Sequence, residues 1–128
     1  MSYCFSTILN SEMDQAIETV TEALKVEGFG VLSVIDVKAT LKKKIDVDFR
    51  PYTILGACNP TFAHKALLAE DKIGAMLPCN VVVQQIGDGQ VEVSAVDPIA
   101  SMSAVKNPAL GEIAGEVQAK LKKVIDGL

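Results

Sequence analysis

The sequence contains no tryptophan, and its few phenylalanines and tyrosines bring the aromatic share to only 5%. That leaves no stacking platform for bases or sugars. Basic residues are outnumbered as well: 12 Lys and Arg face 16 Asp and Glu, a formal net charge of −4. Neutralising a phosphate backbone takes a concentrated basic surface, so no nucleic-acid partner is expected. No uncharged apolar run approaches the ~20 residues needed to cross a bilayer, which removes a membrane partner from the expectations. The opening stretch MSYCFSTILNSEMD lacks the basic region, long apolar run and small-residue cleavage site of a secretory leader. Cysteine is sparse and odd in number (Cys4, Cys58 and Cys79), which fits reduced thiols in the cytoplasm better than a disulfide framework. There is one histidine, His64, and neither a Cys-x-x-Cys nor a His-x-x-x-His, so the metal signal is weak. Gly28-Phe29-Gly30 lacks a third glycine and precedes a strand, so it is no dinucleotide fingerprint.

What remains is the balance of an ordinary folded domain, 128 residues with 49% hydrophobic and 22% charged. At this length about two-thirds of the unfolded chain's surface can be buried, enough for a core without metal or disulfide. No internal repeat, low-complexity tract or linker interrupts it, and residues 1–128 read as a single domain. Ser2 to Leu9 reads as a strand. Ser11 and Asp14 suggest the start of a helix in which Met13, Ala16, Ile17, Val20, Ala23 and Leu24 form one apolar stripe. A strand over 31–36 precedes a short helix with Val37, Leu41 and Ile45 on one face. Its lysines, Lys38, Lys42, Lys43 and Lys44, read as a solvated face, or else as an anion-binding patch that Asp46 and Asp48 would weaken. Tyr52 to Ala57 reads as a strand. Asn59-Pro60, Asp97-Pro98 and Asn107-Pro108 share the form of a helix start, a capping side chain before a proline that misses no amide hydrogen. Phe62, Ala63, Ala66 and Leu67 make the apolar face of the helix after Pro60. Two β-rich runs around Gly87-Asp88-Gly89 predict a hairpin. A last helix over 108–126 carries Leu110, Ile113, Ala114, Val117, Leu121 and Val124 inward. Gly111 and Gly115 lie one turn apart on it, a sign of close packing against the sheet or against a second subunit.

The resulting order is β-α-β-(α)-β-α-β-β-α. It predicts an α+β fold, a two-layer sandwich with helices on one face of a largely antiparallel sheet. Within it, the segment from Cys58 to Asn80 carries Cys-Asn at both ends and His64 near its start. If the strands flanking this segment run antiparallel, both Cys-Asn pairs come to one end of the sheet; if parallel, they lie at opposite ends. The short helix between them favours antiparallel. Cys58 precedes a helix N-terminus, where the dipole favours a thiolate, or else it is a small apolar residue packed at the helix entrance. Cys79 alternates with Val81 and Val83 on the more apolar side, and Asn80 with Val82 and Gln84 on the other. Asn80 either meets a ligand or ties down neighbouring backbone. His64 lies off its helix's apolar stripe and faces solvent unless it converges with the two thiols.

The runs RPYTILGACNP and IGAMLPCNVVV, followed by VSAVDP, resemble the prokaryotic family catalogued as domain of unknown function 302. The resemblance covers nearly the whole chain. Its characteristic positions fall on Asn59, Pro60, Leu77, Pro78, Cys79 and Asn80, with Cys58 before the first pair. It implies a small α+β domain of TBP-like appearance, and it implies no particular activity or cofactor.

Three functions stay open on the sequence. A binding module would hold a small-molecule ligand or a metal ion among Cys58, Asn59, Cys79 and Asn80, with His64 near the rim. A structural or assembly domain, homodimeric through the last helix, would have no site there. A thiol enzyme would use Cys58 with Cys79.

Overall fold

The chain's periodicities resolve into a layer of helices over one sheet. The computed structural model describes residues 2–128. Along the chain come β1 (Cys4–Leu9), α1 (Met13–Val26), β2 (Gly30–Asp36), α2 (Val37–Ile45), β3 (Tyr52–Cys58) and α3 (Pro60–Ala69). A short 3-10 helix (Ile73–Met76), β4 (Cys79–Gly87), β5 (Gln90–Val96), α4 (Pro98–Ser101) and α5 (Pro108–Asp126) complete it. All five strands join one antiparallel sheet in the order β1-β5-β4-β3-β2. The β4–β5 hairpin turns on Asp88-Gly89, with Gly87 opposite Gln90 and Gly89 in the left-handed region at φ +66°. Glycine enters that region without the steric cost of a Cβ.

Strand alternation sends one set of side chains under the helices. Leu55, Val81, Val83, Val91, Val93 and Ala95 are buried there against Ala16, Val20 and Leu24 of α1 and Val117, Leu121 and Val124 of α5. Full burial of one such valine or leucine contributes about 1.5–3 kcal/mol. This is the expected two-layer α+β fold, with the other face of the sheet left uncovered. A smaller cluster of Ala66, Ile73, Met102, Leu110 and Ala114 ties α3 and α4 to α5.

Several local expectations are corrected. Helix α1 begins at Met13 after Glu12, without a side-chain cap. Ser11 Oγ instead donates to the Glu12 carbonyl at 3.0 Å, so its oxygen is turned away from the helix amides. Leu67, expected on the inner face of α3, is exposed. So is Ile45, and no residue of α2 is buried. Lys42 of α2 pairs with Asp46 at 3.0 Å and Asp48 at 3.2 Å, which partly neutralises the lysine face. At neither Gly111 nor Gly115 would an added Cβ meet an atom within 4 Å, so close packing on the protein's own sheet does not explain them.

Candidate functional site

Strand β3 ends at Cys58 and β4 opens at Cys79. The two strands pair antiparallel, with Ala57 opposite Cys79 and Gly56 opposite Asn80. The chain therefore makes a U-turn through α3 and the 3-10 helix, and both Cys-Asn pairs lie at one end of the sheet. The Leu77-Pro78 peptide that leads into β4 is cis. Gly56 permits the close approach at this point. A Cβ there would clash with Ser33 Oγ and stand 2.9 Å from Pro78 Cγ, so the strand passes beneath the proline ring only as glycine.

Asn59 occupies the capping position of α3 in backbone terms, but its side chain makes no cap hydrogen bond. Its Nδ2 donates instead to the Glu27 carbonyl at 3.4 Å, at the end of α1. Carbonyls at a helix end lack intrahelical partners, and this donor supplies one from another element. The neighbouring Gly28 has φ +85°, and a Cβ on it would lie 3.1 Å from that same nitrogen. Asn59 is thus a strut between α1 and α3 rather than a cap. Asp97 and Asn107 do cap, accepting from the amides of Ile99 at 3.0 Å and Ala109 at 3.1 Å.

Cys58, Asn59 and Cys79 line one small space beneath the helices, closed by Phe62, Met102 and Val117 among others. Its volume is about 30 Å³, roughly one water molecule's share of the liquid. Cys79 is 7% exposed. Burial first, and the neighbouring Cys58 second, push its thiol pKa up to about 11 from 9.0. The side chain is accordingly a neutral thiol at ordinary pH. His64 is exposed and is not among the residues lining this space. No three His, Cys, Asp or Glu side chains among the described residues are grouped to hold a metal ion.

Asn80 lies elsewhere. Alternation turns it to the uncovered face, so the adjacent Cys79 and Asn80 look out on opposite sides of the sheet. The expected joint site of Cys58, Asn59, Cys79, Asn80 and His64 is therefore not assembled. Three of the five share a space, one is across the sheet, and one faces solvent. The physical reason is the two-residue period of a strand, which separates every neighbouring pair.

On the uncovered face, Asn80 lines a shallow groove of about 320 Å³ with Tyr52, Gln84, Glu92, Ser6 and Ser94 among its walls. The polar groups there are partly ordered by one another. Ser6 and Ser94 hydroxyls lie 2.8 Å apart. Gln84 Nε2 donates to Glu92 at 3.3 Å, and Arg50 Nε donates to Gln84 Oε1 at 2.9 Å. The Arg50 guanidinium stacks 4.5 Å from the centre of the Phe49 ring and 5.5 Å from that of Tyr52. Apart from Asn80, no residue of this groove stood out in the sequence. The available signal was the polar half of each alternating strand, Ser6, Gln84, Glu92 and Ser94, which acquires meaning only once strand order is known.

The family model described as a domain of unknown function, DUF302, matches residues 5–128. The chain belongs to the DUF302 family. A crystal structure of an uncharacterized conserved DUF302 protein from Bacillus stearothermophilus superposes with a TM-score of 0.89 at 33% identity, over 98% of each chain. No curated protein sequence matches the chain. In this DUF302 domain no helix among the described residues is long and apolar enough to cross a membrane. The sequence resemblance and the fold it implied are thus established, and neither carries a ligand with it.

Proposed function

We propose that this DUF302 domain is a binding module for a small, polar, hydrogen-bonding molecule seated on the uncovered face of its sheet, with Asn80 among the residues that hold it. The observation that carries the reading is the groove itself. At about 320 Å³ it falls in the size range of small-molecule sites, which begins near 300 Å³. The space between Cys58 and Cys79, at about 30 Å³, is a tenth as large. Asn80 is exposed and brings an amide with both donors and an acceptor to the groove. The serine pair and Gln84 add further hydrogen-bonding groups. Among the described residues the one cation tied to the groove's walls, Arg50, is bonded to Gln84 and stacked on Phe49 and Tyr52, and the groove's carboxylate, Glu92, is engaged by Gln84. Recognition through hydrogen bonds to an uncharged or zwitterionic molecule suits that balance better than recognition through net charge. The neutral thiol of Cys79 weighs against a thiolate pair, since the thiolate is the nucleophile. Cys58 and Asn59 then serve the junction of α1, β3 and α3.

Ligand-observed NMR against a set of neutral sugars, amides, nucleosides and amino acids tests the reading. Binders are expected whose signal is lost in the double variant Asn80→Leu, Ser94→Val, with the melting transition retained. A set with no binder at all, or binders undiminished by the double variant, would overturn it.

A further inference from the structure

We infer that β2 pairs with β2 of a second copy of this chain, antiparallel about a two-fold axis, so that two five-stranded sheets continue as one of ten strands. Strand β2 is the last in the sheet and bonds to β3 on one side only. Its outer row of backbone amides and carbonyls is left for another strand. Monomeric proteins blunt such edges with lysine, proline, bulges or very short strands, and the one irregularity of β2 lies between Val31 and Ser33, leaving Ser33 to Asp36 regular. Here the strand is seven residues, GVLSVID, whose single charge is Asp36 at its end.

The side chains support an added strand rather than a cover on one face. Val34 stands beside buried Leu55 on the helix side, and Ile35 beside Ile54 on the uncovered side. Both are exposed, 62% and 47%, as is Leu32 at 71%. A partner lying on either face would leave the other wet, whereas a neighbouring strand meets both sets at once through cross-strand pairs. Helix α2 packs on β2 and β3 and adds Ile45 and Val47, 63% and 41% exposed. Together these five residues expose on the order of 500 Å² per copy, so a pair buries at most about 1,000 Å², the level a specific interface must reach.

The register follows from the sheet's two faces. A two-fold axis normal to the sheet keeps each copy's helices on the same side, so paired residues must share a face. The β2–β3 register shifts between Val31 and Ser33, and from Ser33 to Asp36 it is regular. Centring the pair on Val34 sets Val34 against Val34 and Ile35 against Ser33, and it carries each Asp36 beyond this regular stretch at opposite ends, so no like charges meet. Pairing β2 with β1 of another copy would instead be head-to-tail and need not close. In the isologous pair the two uncovered faces become one continuous floor.

Sedimentation equilibrium of the wild-type chain and of Val34→Lys tests this. Val34 is mostly exposed in the single chain, so the variant is expected to fold, with its melting temperature lowered only by the lost association. Two lysines opposed across the axis would repel, and each would lose its hydration in the contact. The wild type is expected at twice the 13.6 kDa monomer mass and Val34→Lys at the monomer mass at equal concentration. A monomeric wild type, or a dimer that persists in Val34→Lys, would overturn the inference. Should Val34→Lys fail to fold, Leu32→Glu with Ile35→Glu gives the same reading, with loss of the dimer expected and retention contradicting it.

Discussion

Cys79 shows how far a single side chain's setting departs from its chemistry in water. With its pKa near 11, only about a thousandth of it is thiolate at pH 8 by the usual titration relation. Iodoacetamide at that pH is therefore expected to modify Cys79 far more slowly in the folded protein than after unfolding, as followed by peptide mass spectrometry. The same shift links to stability. The folded state retains its proton longer than the unfolded one, so the contribution is fully present below pH 9 and is lost as pH rises towards 11. The loss comes to about 2–3 kcal/mol across that window. Urea unfolding of the wild type should show the decline, and Cys79→Ala should flatten it. Gly56 is the other residue whose identity geometry dictates. Gly56→Ala must move the Pro78 ring or the strand, at a cost of about 1–3 kcal/mol of unfolding free energy. An unchanged denaturation midpoint would contradict that packing. The burial behind the Cys79 shift was legible in its alternation with Val81 and Val83, but the constraint on Gly56 was not: it is an ordinary strand glycine whose crowding comes from Ser33, 23 positions earlier, and Pro78, 22 later.

At the scale of elements, the three Asx-Pro starts make a graded case. The sequence assigned all three side chains to caps, and Asp97 and Asn107 do cap while Asn59 bonds across to α1. The pattern encodes where a helix begins. It does not encode whether a carbonyl from another element competes for the amide. Asn107 works on both sides at once, accepting from Ala109 while its Nδ2 donates to the Ala69 carbonyl at 2.9 Å. Asn107→Ala is accordingly expected to lower stability by about 1–2 kcal/mol, the upper part of the range for lost caps, in thermal or urea unfolding. A change of a few tenths would mean that water replaces both bonds. Helix α2 is the instructive failure. Val37, Leu41 and Ile45 are spaced to bury one face, yet Val37 and Leu41 are only half-buried and Ile45 is exposed, because periodicity specifies a stripe and says nothing of how far the rest of the chain covers it.

For the molecule as a whole, the two-layer arrangement was readable because each helix and each long strand carries its own one-sided pattern. The hairpin and the U-turn between β3 and β4 were read with it, and the family likeness came separately, from the runs RPYTILGACNP, IGAMLPCNVVV and VSAVDP. The candidate site was only half readable. Sequence proximity drew Cys79 and Asn80 together, and the sheet drove them apart by two-residue alternation. Ser6, Ser94, Gln84 and Glu92 are scattered over nearly 90 positions and meet only because β5 lies between β1 and β4. That convergence is what the proposed function rests on. The most direct test is a ¹⁵N–¹H correlation spectrum recorded while the strongest binder from the neutral polar set is titrated in. Shifts concentrated at Ser6, Asn80, Gln84 and Ser94 are predicted; shifts centred on Cys58, Phe62 and Cys79, with the uncovered face silent, would contradict the account.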